Sequence, residues 1–170
     1  MAKNDPVSAT DARLLALLQS DGRRSYAELA TDLGMAAPSV HERVRKLEAR
    51  GVIRGYSADV DPVSLGLTVL AFTWVTQAPG TVSLDLTTAF GTIPEIEECH
   101  HIAGEADYLL KIRARDMEHM GAVVRHVQTI DHVFSTETDV VFHTGFEGRP
   151  MPTTTSGDDE PASTKRGTTA

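Results

Sequence analysis

Seven residues between positions 39 and 54 carry groups suited to reading a DNA duplex: Ser39, His41, Glu42, Arg45, Lys46, Arg50 and Arg54. Arg and Lys neutralise phosphates and reach guanine edges, whereas Ser, His and Glu exchange hydrogen bonds with base edges in the major groove. Their spacing matters as much as their types. Val40, Val44 and Leu47 recur at the helical period and would face a core. Glu42, Arg45, Lys46 and Ala49 then take the opposite face, with Ser39 and His41 near the helix start. Arg43 lies beside the apolar seam, where an ion pair within the domain and a DNA contact are both open. A solvated charged face is common on amphipathic helices, so the flanking sequence has to decide.

The stretch from Ser25 to Gly51 supplies that setting. Ser25 and Glu28 have the spacing of a capping box, and Leu29, Ala30 and Leu33 form a core stripe that Gly34 terminates. A short turn leads into the second helix, which has Pro38 in its first turn. Helices joined in this way can place the second in the major groove. Upstream, Leu14, Leu15, Leu17 and Leu18 predict a third helix starting near Ser8 or Thr10. Downstream, Gly51-Val-Ile-Arg-Gly-Tyr-Ser-Ala-Asp-Val60 predicts a short strand or wing, on which Arg54 and Tyr56 would brace the DNA backbone.

The charge distribution agrees with that placement. The 170-residue chain has a net charge of −8, which would repel a duplex if spread evenly. Residues 1–60 hold nine basic and eight acidic residues, however, whereas residues 61–150 hold five and thirteen. Phosphate attraction is therefore local to the second helix, and a sequence-blind coating protein is disfavoured. The run from Leu65 to Val75 is too short and too Thr-rich for a membrane helix, and no signal-peptide pattern is present. The single cysteine, Cys99, excludes an internal disulfide framework and suits a reducing cytoplasm.

Asp61-Pro62 and Ser64-Leu-Gly66 mark a linker over residues 61–66 between a domain at 1–60 and another at 67–148. LTVLAFTWVT from Leu67 predicts a strand apolar on both faces, covered by helices on one side and by another subunit or sheet on the other. Val82, Leu86, Ala89 and Phe90 predict a helix closed by Gly91. Ile93 to Ala103 and Tyr108 to Ala114 predict an antiparallel pair around a turn at Gly104–Asp107. Asp116 caps a helix carrying Met117, Met120, Val123, Val124 and Val127, and Val133 to Phe142 predicts the last strand. The class is α+β: a winged helix-turn-helix followed by a βαββαβ ferredoxin-like sandwich. Residues 149–170, rich in Thr, Ser, Pro, Gly and acids, are expected to be disordered.

In the second domain Gly104 can bring backbone amides to a carboxylate, and Asp107 offers a charge for an ammonium group, which together match an amino-acid zwitterion. Thr136 and Thr138, expected on a strand next to this hairpin, would add hydroxyl contacts. The same residues also make an ordinary tight turn, and both readings stand on the residues alone. Enzymatic chemistry has little support. Cys99, His100 and His101 are adjacent on a strand, so only the first and third share a face. Neither C-x-x-C, H-E-x-x-H nor a Gly-rich phosphate loop occurs, so no catalytic or metal-ligating residues and no cofactor are assigned.

The residues Glu28-Leu-Ala-Thr-Asp-Leu-Gly34, Glu42-Arg-Val-Arg-Lys-Leu-Glu48 and Gly51-Val-Ile-Arg-Gly-Tyr56 occur here together with Ile96-Glu-Glu-Cys-His100 and Gly104-Glu-Ala-Asp-Tyr-Leu-Leu-Lys111. In this order, over roughly residues 8 to 147, the chain resembles the Lrp/AsnC family of feast/famine transcriptional regulators. The resemblance implies a RAM/ACT-like second domain, a cytoplasmic dimer paired through its sheets, and assembly into octamers in many members. It also implies an amino acid or related small effector held between subunits, here near Gly104, Glu105, Ala106, Asp107, Tyr108, Thr136 and Thr138. Ala36 stands where the family often has Ser, and Ala106 where relatives often carry an aromatic residue. The expected function is sequence-specific binding of double-stranded DNA under effector control. The alternatives are an architectural protein that wraps DNA with little specificity and a sensor acting by protein contact.

Overall fold

The computed structural model describes residues 6–81 and 84–153. Its contacts divide the chain between Ala58 and Asp59, and the described residues from Phe146 onward belong with the first unit.

The first unit contains three helices, α1 (Ala9–Ser20), α2 (Tyr26–Leu33) and α3 (Ala37–Ala49). Local chemistry sets each boundary. Ser8 caps α1 by accepting the amide of Asp11. Ser25 and Glu28 close a reciprocal capping box on α2, and Gly34 ends it at φ 65°, a left-handed conformation that costs a residue with a Cβ. The start of α3 at Ala36 has no side-chain cap, which Pro38 partly offsets because it has no amide to satisfy. Leu14, Leu29, Ala30, Val40, Val44 and Leu47 are buried together as the core.

The expected wing does not form a strand. Residues 54–60 run without a ladder partner among the described residues, and a lone extended segment cannot satisfy its own backbone groups. Side chains anchor it instead. Tyr56 donates its hydroxyl to Glu48 at 3.2 Å, and its ring passes so close to Gly22 that a Cβ there would lie 3.2 Å away. Burial, with the Glu48 carboxylate adding to it, pushes the Tyr56 phenol up.

Two further expectations about boundaries are corrected. The supposed linker at 61–66 contains a 3-10 turn, Val63–Leu65, because Asp61 accepts the amides of Val63 and Ser64 and the Ser64 hydroxyl. The segment after residue 148, expected to be disordered, is held as far as Thr153. Gln19 of α1 donates to the Met151 carbonyl at 3.1 Å and accepts its amide at 2.7 Å. Residues 154–170 of that tail lie outside the described residues.

The second unit is an antiparallel sheet in the order β2-β3-β1-β4, formed by β1 (Val69–Gln77), β2 (Ile96–His101), β3 (Tyr108–Ala114) and β4 (Val133–Val140). With α4 (Thr87–Phe90) and α5 (Met117–Gln128) it completes the βαββαβ order. The helix expected from Val82 is only the single turn α4. Residues 82 and 83 lie outside the described residues, while Leu86 and Phe90 still enter the core. Alternation places Ala71, Thr73 and Val75 of β1, and Tyr108, Leu110, Ile112 and Ala114 of β3, against the helices. On the other face Phe72, Trp74 and Leu109 are half-buried. Lys111 and Arg113 stay largely covered there because Glu97 and Glu98 neutralise them, Lys111 lying 3.1 and 3.0 Å from the two carboxylates. Lys111, followed by His100, holds the Glu98 carboxyl below its ordinary range.

Candidate nucleic-acid interface and effector site

The core seam of α3 fixes which of its side chains meet solvent. With Val40, Val44 and Leu47 inward, Glu42, Arg45 and Lys46 project outward. Glu42 joins the two cations. Its carboxylate accepts Arg45 Nε and Nη2, each at 3.1 Å, and lies 3.5 Å from Lys46 Nζ. The Arg45 hydrogen bonds, followed by the charges of Arg45 and Lys46, hold the Glu42 carboxyl below its usual range, and the Glu42 carboxylate in turn raises the Arg45 guanidinium.

The flanks of α3 differ. On the α1 side, Ser39, Glu42, Lys46 and Arg50 border an open groove of about 670 Å³ that Asp11 and Pro38 also line. Arg43 on this flank is turned to Asp11 at 2.8 Å, so of its two possible partners it takes the one within the domain. On the α2 side, the His41 ring meets Tyr26 edge-on at 4.9 Å. Arg54 does not join this group, since it borders a separate groove with Leu15, Leu18 and Tyr56. Six of the seven expected DNA-facing residues therefore lie on one exposed helix or its C-cap, and Arg54 lies apart. Tyr26 and Asp11 were not foreseen, because both act from other helices and the spacing within α3 gives no sign of them.

The hairpin between β2 and β3 is closed by Ile102 N–H donating to the Asp107 carbonyl at 2.8 Å. Gly104 and Glu105 are exposed, and no atom lies within 4 Å of where a Cβ on Gly104 would stand. Ala106 is half-buried. Asp107 is tied to β1 twice: its N–H donates to the Val75 carbonyl at 2.9 Å, and its Oδ2 accepts the main-chain N–H of Gln77 at 2.7 Å. One carboxylate oxygen of Asp107 is thus engaged in holding the fold.

Two expectations about this site change. Tyr108 is a core residue at 1% exposure, with Phe90 edge-on at 5.3 Å and His101 stacked at 4.8 Å. Its hydroxyl accepts the Leu86 amide at 3.2 Å. Thr136 and Thr138 are not on a strand beside the hairpin, because β1 lies between β3 and β4. Thr138 shares a hydrogen bond with Thr73 at 3.0 Å, and Thr136 accepts from Gln128 at 2.8 Å. A further residue, Gln77, was not foreseen. It is 3% exposed and donates to the carbonyls of Thr81 and Leu84, and its Oε1 finds no partner among the described residues. The one signal for it in the sequence is an amide side chain closing a largely apolar strand.

Cys99 packs against the core with a thiol pushed up by burial, and His100 pairs with Glu98 at 3.1 Å. Among the described residues no group of three His, Cys, Asp or Glu side chains could hold a metal ion, and no helix is long and apolar enough to cross a membrane.

Comparison with known proteins places both units. Residues 8–48 match the AsnC-type helix-turn-helix domain, and residues 70–151 match the Lrp/AsnC ligand binding domain. The chain is 32% identical to the HTH-type transcriptional regulator FL11 of Pyrococcus horikoshii, over 86% of this chain and 97% of that protein. A feast or famine regulatory protein from Mycobacterium tuberculosis, complexed with L-methionine, superposes with a TM-score of 0.77 at 31% identity, covering 84% of this chain and 97% of that one. A transcriptional regulator from Neisseria meningitidis in its L-methionine complex has a TM-score of 0.79 at 26% identity, with coverage of 85% and 96%.

Proposed function

Because the chain belongs to the Lrp/AsnC family of transcriptional regulators, we propose that α3 reads double-stranded DNA and that the β2-β3 hairpin receives an amino-acid effector. Arg45, Lys46 and Arg50 grip phosphates or guanine edges, while Ser39, His41 and Glu42 face base edges near the start of α3. Arg54 contacts the backbone further out. The observation that carries this reading is the pair Arg45 and Lys46 on the outer face of the second helix of a helix-turn-helix, in a chain whose net charge is otherwise acidic.

Gly104, Glu105, Ala106 and Asp107 form the effector's near wall in one copy. Two relatives hold L-methionine, and an amino acid is the class of ligand assigned here. Thr136 and Thr138 belong to the site only if a second copy supplies them, since β1 separates them from the hairpin within one chain. The half-buried Phe72, Trp74 and Leu109 on the uncovered sheet face suit pairing with that second copy. Regulation then follows from linkage: an effector that favours one assembly over another shifts DNA affinity through it. The regulator works in the cytoplasm and has no catalytic role.

Mobility shifts of the full chain on its own upstream DNA, with and without each common amino acid, test this reading. A specific shift that an amino acid strengthens or weakens is expected, and R45A/K46A should abolish it. No specific shift under any condition would overturn it, and equal affinity for promoter and random DNA would favour an architectural role.

A further inference from the structure

Glu42 holds a position that a helix built only to grip phosphates would leave neutral or basic. It lies opposite the buried seam, three residues before Arg45 and four before Lys46, so all three share one face. Both carboxylate oxygens are taken up by Arg45, and Lys46 stands 3.5 Å from Oε1. The carboxylate thus offsets one of the two positive charges at the centre of the proposed contact surface. Carrying an anion toward a polyanion weakens binding unless a donor on the DNA meets it.

An ionised carboxylate can only accept hydrogen bonds. In the major groove cytosine N4 and adenine N6 carry donors, whereas guanine presents O6 and N7, and thymine O4, as acceptors that repel it. Resting on the reading of α3 as a DNA-contacting helix, we propose that Glu42 determines specificity by accepting an exocyclic base amine, cytosine or adenine, and thereby hands Arg45 and Lys46 to the phosphates. Exposed ion pairs of this kind are weak enough to exchange. Every base pair has one such amine, so the strand decides: where the base that Glu42 faces is guanine or thymine, the carboxylate keeps its two cations and the phosphate grip is withheld. Base identity and backbone affinity are coupled through one side chain.

The test uses the full-length wild type, E42Q and E42A. Each selects sites from a pool of random duplexes, and each is titrated with an unselected random duplex over a range of salt. The wild type is expected to fix one base pair of each half-site that E42A leaves open, and whether that pair is C·G or A·T identifies the amine. Glutamine pairs with adenine through both its acceptor and its donor, so E42Q should fix adenine there. E42A should leave the position open and bind the random duplex about three- to tenfold tighter, with a salt slope steeper by about one to two. If E42A selects the same bases as the wild type, or binds the random duplex no more tightly, Glu42 is only an intrahelical counter-ion. In that event the proposal fails while DNA reading stands. A wild type that enriches no site would overturn both.

Discussion

Arg43 Nη1 lies 2.8 Å from Asp11 Oδ1, which ties α3 to the first turn of α1. Asp11 is well covered and is also engaged by the Ser8 cap, so the pair fixes the angle at which α3 is presented. R43A is expected to destabilise the first unit by about 1 kcal/mol. Because Arg43 is directed inward, its loss should leave the salt slope of DNA binding unchanged, whereas R45A should reduce that slope by about one per subunit. Urea melts and salt-titrated binding curves of the two variants check this.

The capping box of α2 gives a pH dependence of known sign. Hydrogen bonds from Ser25 hold the folded Glu28 carboxyl below its ordinary value of 4.5. A group with a depressed folded pKa contributes stability that is present above the unfolded pKa and lost as pH falls through the folded one. The contribution of Glu28 is therefore complete at neutral pH and disappears in the acid range below 4.5. S25A should cost about 1 kcal/mol at pH 7, and the penalty should shrink as the pH is lowered. Thermal melts at several pH values measure it.

The uncapped start of α3 can be improved. Ala36 offers only its carbonyl, to Ser39 N–H at 2.9 Å and Val40 N–H at 3.2 Å. Ala36→Ser adds a hydroxyl acceptor at the N-cap and should stabilise the chain by about 0.5–1 kcal/mol. Differential scanning calorimetry would show a higher melting temperature, and an unchanged one would mean that the Ala36 carbonyl and the missing Pro38 amide already leave this end without an unmet donor.

Asp107 has one role in the fold and a separable second one in the proposed effector site. Its Oδ2 accepts the main-chain N–H of Gln77, a neutral requirement that an asparagine oxygen also meets. In the proposed effector site its charge would meet the ligand's ammonium group. D107N should therefore melt near the wild type and bind amino acids about tenfold or more weakly, the loss expected when a charged partner is removed. D107A should lose both. Calorimetry with L-methionine, the ligand of two relatives, alongside thermal melts of both variants distinguishes the roles.

The first unit was legible because its determinants are local. Ser25 with Glu28, the terminal Gly34, and the seam Val40, Val44 and Leu47 each act within a few residues, so spacing alone specifies the helices and the outward face of α3. In the second unit the apolar runs marked β1 and β3 as strands without saying which face of either meets the helices, and the element order gave the βαββαβ class. The site was less legible. Spacing put Tyr108 at the end of the hairpin but could not say that its ring is enclosed between Phe90 and His101.

What the sequence determined by itself is the order of the helices and strands apart from the wing, the outward face of α3 and the family to which they belong, because capping, periodicity and turn chemistry are written in neighbouring residues. What only the tertiary structure decided is who stands next to whom. It set β1 between the hairpin and Thr136, left residues 54–60 without a ladder, turned Arg43 inward to Asp11, and paired Gln19 with Met151 across 132 positions. A period of two tells a strand which face is buried. It carries no information about its neighbour, because that choice is made by contacts far apart in the chain.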